Sequence, residues 1–145
     1  MKLEFQVSTR IKKPIDKVFD AVVDPDKIGS YFVPGGVSGP MVQGAEITWT
    51  FPDVSCVQAM KVVRLEKNKE VELDWFKDNG SKTHVLIKFE KLGDNETMVS
   101  IKHSGHKPDE TGLQDSYSHC EGWSVMLSSL KVFLEYGINL GIGYW

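Results

Sequence analysis

The sequence predicts an α+β fold in which an antiparallel sheet of about six to seven strands is crossed by one long C-terminal helix. Three observations predict it. Residues 3–11 alternate between apolar and polar side chains, the middle of the chain repeats this alternation between short polar turns, and the last third changes to helical spacing. The chain has 145 residues, so we expect residues 1–145 to form a single domain.

The first strand is followed by two short helices. Leu3, Phe5, Val7 and Ile11 share one face of a half-buried strand. Pro14 then suits the first turn of a helix, and Asp24-Pro25 ends that helix. Residues 27–32 can form a second short helix, which the sequence Pro34-Gly-Gly ends.

The middle of the chain reads as an antiparallel meander. Alternating or β-branched stretches cover residues 45–51, 55–65, 71–75, 83–89 and 97–103. Short polar turns separate them, and Asn79-Gly80 is the strongest hairpin signal because it supplies positive φ readily.

A long amphipathic helix is expected from about residue 112 to 139. A helix of about 25 residues is roughly 37 Å long and cannot bury an apolar stripe alone, so it must lie on the sheet. The stripe consists of Cys120, Trp123, Met126, Leu127, Leu130, Phe133, Leu134 and Ile138.

Charge and composition exclude several classes of partner. The net charge is −3 and no dense run of Lys or Arg occurs, so we expect no nucleic-acid partner. No apolar run approaches the ~20 residues of a membrane helix, so we expect no membrane insertion. Two cysteines without an export signal favour a cytoplasmic location.

The inward positions of the sheet and the helix stripe suggest a cavity between them. Large rings on a concave face either fill a core or line a pocket, and both alternatives stay open. Gly122 inside the helix suggests a close backbone approach to the sheet or a ligand, or mere tolerance. The candidate ligand-binding residues are Trp49, Phe51, Trp75, Phe89, His103, His119, Trp123, Met126, Leu127 and Leu130.

The sequence shows no recognisable catalytic constellation. There is no nucleophile elbow, phosphate loop or inward carboxylate pair, so we assign no catalytic residue and no cofactor. His103 and His119 are the candidate proton-transfer groups. His103, His106, His119 and Cys120 lack the short fixed spacings of a zinc site, so we expect no metal.

Three segments resemble a known superfamily. These are residues 11–25, residues 44–49, and His119-Cys-Glu-Gly-Trp123 with the spaced leucines that follow. They resemble the START-like, helix-grip superfamily, and within it proteins similar to the C-terminal domain of the activator of the ninety-kilodalton heat-shock-protein ATPase. The resemblance implies a helix-grip fold with a cavity. Members bind lipids, sterols or polyketides, a few are cyclases or hydrolases, and others assist chaperones.

Three functional hypotheses follow. The first is binding of a small apolar, aromatic or lipid-like molecule in the cavity. The second is a co-chaperone or other protein-interaction module, and the third is a cavity enzyme that uses His103 or His119. A second helix seam of Val125, Val132 and Tyr136, with the apolar tail at 141–145, also suggests a homodimer contact.

Overall fold

The structure, a computed structural model, describes residues 1–140 and confirms the predicted α+β architecture. A short 3₁₀ turn, Pro52–Val54, separates the second and third strands. The strands and helices are β1 (Leu3–Ile11), α1 (Ile15–Val23), α2 (Pro25–Tyr31), β2 (Glu46–Phe51), β3 (Cys56–Glu66), β4 (Glu70–Phe76), β5 (Lys82–Gly93), β6 (Glu96–His106) and α3 (Glu110–Tyr136).

The strands form one antiparallel sheet of six strands in the order β1-β6-β5-β4-β3-β2. Strands β2 to β6 form the predicted meander, and β1 returns to pair with the last strand, with Val7 opposite Ile101. The helices α1 and α2 occupy the connection between the two edge strands, β1 and β2. This arrangement is the predicted curved sheet with a helix across it.

Helix α3 has 27 residues and well-defined ends. At its start, the Asp109 carboxylate accepts a hydrogen bond of 2.8 Å from the Gly112 amide. Only glycine fits at position 112, because a Cβ there would lie 1.8 Å from the Lys107 carbonyl oxygen. At its end, Gly137 takes the left-handed conformation (φ +67°) and closes the helix. The helix packs mainly on β1 and β6.

One part of the interior between sheet and helices is packed with aromatic and aliphatic side chains. Phe19 of α1 packs edge-on against Phe89 of β5, with ring centroids 5.0 Å apart. Tyr31 of α2 stacks on Phe133 of α3, and its hydroxyl donates to the Ala21 carbonyl at 3.0 Å. Leu130, one helical turn before Phe133, is fully buried. We call this region, formed by α1, α2 and the second half of α3, the filled end.

The second helix seam does not form a continuous exposed stripe. Val125 is buried, as is Ser129 between the seam positions, whereas Tyr136 is 69% exposed. The tail at 141–145 that was predicted to extend this seam lies outside the described residues. None of the helices in residues 1–140 combines the length and the apolar character of a membrane span.

Candidate functional site

A cavity of about 200 Å³ lies between β2, β3, β4 and the first half of α3. We call this region the cavity end. Its wall is largely apolar, and the helix contributes residues one turn apart. The described residues of the wall are Phe32, Trp49, Phe51, Val54, Cys56, Gln58, Trp75, Ser118, His119, Gly122 and Trp123.

The structure divides the predicted ligand-binding residues into three groups. Five of them lie in the cavity wall: Trp49, Phe51, Trp75, His119 and Trp123. His103 lies behind the wall and touches it through Trp123. The remaining four are buried in the core and are not part of the wall: Phe89, Met126, Leu127 and Leu130.

Three tryptophans form the rigid part of the wall. The ring centroids of Trp49 and Trp75 are 5.7 Å apart at 84°, and those of Trp49 and Trp123 are 6.0 Å apart at 71°. These are edge-to-face contacts, which aromatic pairs prefer. Each ring therefore restrains the next, and the wall is preformed.

Two of these three indole N–H groups have no hydrogen-bond partner within residues 1–140. The Nε1 atoms of Trp49 and Trp75 are buried and unpaired in the described part of the chain, although both side chains border the cavity. Trp123 differs, because its Nε1–H donates to His103 Nδ1 at 3.0 Å. An unpaired buried donor costs roughly 1–3 kcal/mol, and neither of these two Nε1 atoms is accessible from the cavity.

The His103 ring is neutral, and both of its nitrogens form hydrogen bonds. Its Nδ1 accepts from Trp123, so its Nε2–H donates to the Thr83 hydroxyl at 2.7 Å. Burial, followed by the neighbouring His119 and His106, lowers the pKa of His103 to about 2. Both ring nitrogens are in use, so His103 acts as a support for the wall and has no nitrogen open to the cavity.

Two further histidines form a hydrogen-bonded chain beside it. His106 contacts the Leu3 carbonyl oxygen through Nδ1 at 3.2 Å, and its Nε2 lies 2.9 Å from His119 Nδ1. Burial is the largest cause of the lowered pKa of both rings, and the pKa of His119 falls to about 4. The sequence spacing gave no signal for this contact, because the rings come from β6 and α3.

The three histidines lie close enough to suggest a metal site, with candidate ligand atoms within 4.8 Å of one another. However, the rings of His103 and His119 are stacked at 4.5 Å and 14°, so their in-plane lone pairs lie in nearly parallel planes. Lone pairs in parallel planes do not converge on one ion with the geometry that zinc requires. The absence of a metal stays a prediction.

An open antiparallel sheet that holds a C-terminal helix over an apolar cavity defines the helix-grip class of proteins. Within this class, the chain belongs to the family described as "Activator of Hsp90 ATPase homolog 1-like protein", whose sequence profile matches residues 12–135. The comparison with curated proteins found no match.

Solved structures with the same fold cover nearly the whole chain. A protein from Staphylococcus saprophyticus is 26% identical over 94% of each chain, with a TM-score of 0.74. The Aha1 dimer from Colwellia psychrerythraea is 25% identical over 97% of this chain and 98% of that chain, with a TM-score of 0.74. DynU16, from the dynemicin biosynthetic locus, is 22% identical over 94% of this chain and 49% of that chain, with a TM-score of 0.81.

Proposed function

We propose that this chain is a cytoplasmic binding protein for a small apolar or aromatic, lipid-like molecule, which it holds in the cavity under α3. The observation that carries the proposal is a largely apolar cavity of about 200 Å³, which is lined by the indole rings of Trp49, Trp75 and Trp123 and by His119. Apolar walls with a few placed polar groups are typical of ligand sites.

The size of the cavity suits a ligand of one or two rings. An apolar protein cavity of about 150 Å³ is large enough to bind benzene. The cavity here, at about 200 Å³, exceeds that volume. The tryptophans offer large contact areas without loss of much side-chain freedom, which favours affinity.

Gly122 supports the same proposal. It lies in the middle of α3, where glycine costs roughly 1 kcal/mol relative to alanine. A Cβ at this position would have no atom within 4 Å, so the glycine does not serve a close contact with the sheet. Because Gly122 borders the cavity, its missing side chain leaves space for a ligand.

The test is native mass spectrometry of the protein purified from its own host, combined with thermal shifts across a library of lipids and aromatic compounds. We expect a retained ligand or a stabilising compound for the natural chain, and loss of both for Gly122→Leu, which fills the cavity. Gly29→Ala, a helical glycine outside the cavity wall, is the matched control and should bind normally. An empty cavity without any thermal shift would contradict the proposal.

A second candidate function is protein interaction, including self-association. The solved relative from Colwellia psychrerythraea is a dimer, and Tyr117 and Tyr136 of α3 are 59% and 69% exposed here. Sedimentation velocity over a concentration series tests self-association, and the same experiment with purified Hsp90 tests a chaperone contact. This candidate would be rejected if the chain sedimented as a monomer at every concentration and did not sediment together with Hsp90.

A further inference from the structure

The positions of the protons on His106 and His119 follow from one backbone group. The Leu3 carbonyl oxygen can only accept, so the contact at 3.2 Å requires a proton on His106 Nδ1. His106 is neutral at pH 7, because burial lowers its pKa from the ordinary value of 6.5. Its Nε2 therefore carries a lone pair and accepts.

The same reasoning extends one ring further. The His119 Nδ1 atom lies 2.9 Å from His106 Nε2, so it must be the donor and carry the proton of the second ring. A neutral imidazole with a proton on Nδ1 has a bare Nε2. Within residues 1–140, His119 makes no other hydrogen bond, and it borders the cavity.

We propose that His106 fixes His119 in the tautomer with a bare Nε2, and that the cavity therefore selects apolar molecules that donate an O–H or N–H to this nitrogen. This inference rests on the proposed ligand binding. It assigns one hydrogen-bond acceptor, the lone pair of His119 on the helix side, to a wall that is otherwise largely apolar. A ring carrying a hydroxyl, such as a phenol, can supply the donor.

The charged groups around His119 leave its ring neutral at pH 7. His106 and Lys77 disfavour the charged ring, whereas Asp115 favours it, and Lys77 and Asp115 also form an ion pair with each other. With burial included, the pKa of His119 is about 4. The ring stays neutral at pH 7, so its lone pair remains available to a donor.

A matched pair of ligands tests the preference directly. The probes are 2-naphthol and its methyl ether 2-methoxynaphthalene, of which only the first has an O–H donor, and tryptophan fluorescence reports their binding. We expect the naphthol to bind about two- to tenfold more tightly, the range that one net hydrogen bond of about 0.5–1.5 kcal/mol gives. His119→Phe keeps a ring without the lone pair and should make the two affinities equal.

The tautomer has its own readout, which does not depend on binding. Two-bond ¹H–¹⁵N correlation spectra distinguish protonated from bare ring nitrogens. We expect His119 to carry its proton on Nδ1 in the natural chain and in His106→Gln, whose side chain can donate to Leu3 and accept from His119. In His106→Leu the proton should shift towards Nε2, and the preference for naphthol should shrink.

The possible results separate this inference from the proposed function. If both probes bind with equal affinity to the natural chain, the proposed selectivity is wrong although the cavity binds ligands. If His119 carries its proton on Nε2, the role of His106 is wrong. If neither probe binds and the library screen is also empty, the proposed function fails together with the selectivity, and the spectra still decide the tautomer.

Discussion

The two ends of the interior use similar side chains for different purposes. At the filled end, Tyr31 and Phe133 stack tightly and the Tyr31 hydroxyl is satisfied by a backbone carbonyl. At the cavity end, Trp49 and Trp75 are buried like Tyr31, yet among residues 1–140 their N–H groups have no partner, and their rings border an open volume. Since burial is similar, the completion of hydrogen bonds and packing is what distinguishes a structural region from a candidate binding region.

The largest expected effect concerns packing. Leu130→Ala at the filled end should lower the free energy of unfolding by about 2–5 kcal/mol, because it opens a void in a fully buried region. Val54→Ala in the cavity wall should change it by less than about 0.5 kcal/mol, because Val54 is 54% exposed. Urea denaturation measures both, and equal losses would remove the distinction between the two ends.

The next effect is the pH dependence of stability at the cavity end. The pKa of His103 is about 2 in the folded chain and near the ordinary 6.5 in the unfolded chain, so below pH 6.5 only the unfolded chain binds this proton. The stabilisation is complete above pH 6.5 and decreases by up to about 1.4 kcal/mol per pH unit as the pH falls. His119 adds to the slope down to its pKa of about 4.

Urea denaturation between pH 7 and pH 4.5 measures this slope. His103→Gln should reduce the slope by the contribution of His103, since glutamine does not titrate, and should leave the contribution of His119. His84→Gln is the control, because His84 lies on the outer face of the sheet beside Asp74, and we expect it to keep the slope. A natural chain with constant stability over this range would show that His103 does not stay neutral in the folded state.

Two Trp→Phe substitutions at the cavity end compare an indole N–H that is hydrogen-bonded with one that is not. Trp123→Phe leaves His103 Nδ1 without its donor, whereas Trp49→Phe removes an N–H that has no partner in the described part of the chain. We therefore expect Trp123→Phe to be more destabilising than Trp49→Phe by about 1–3 kcal/mol. Thermal denaturation of the ligand-free proteins checks this order, and the reverse order would contradict the assigned hydrogen bonds.

The smallest expected effect is a gain in stability. Gly122→Ala should raise the free energy of unfolding by roughly 1 kcal/mol through helix propensity, because the added Cβ meets no atom. The same variant should bind cavity ligands more weakly, since it reduces their space. Denaturation and ligand titration together measure the two opposite changes, and Gly29→Ala should show only the gain in stability.

Periodicity predicted which face a residue occupies, but not its position along the interior. Trp75 and Phe89 both lie on inward faces of their strands, as expected, yet only Trp75 borders the cavity. The difference depends on the placement of α1, whose Phe19 covers Phe89. That placement results from tertiary packing, which alternation along one strand does not report.

The sequence did not predict the hydrogen-bonded chain of His106 and His119, because the backbone of β6 is irregular near His106. In a regular strand, His103 and His106 would face opposite sides of the sheet, because they are three residues apart. Gly105 between them has φ +88°, and the pairing register of β1 with β6 shifts between Leu3 and Phe5. The irregularity turns both histidines inward, and the predicted strand over 97–103 ends before Gly105 and His106, which belong to β6 in the structure.

The continuity of α3 has a mechanical consequence. Its first half is tied to β6 by the hydrogen bonds of His119 with His106 and of Trp123 with His103, and its second half packs at the filled end through Leu130 and Phe133. A ligand that displaces the first half must therefore break these hydrogen bonds. The displacement would then reach Tyr136, about 20 Å along the axis from Trp123, because a helix transmits a tilt without bending much, and it would present a changed surface to any partner.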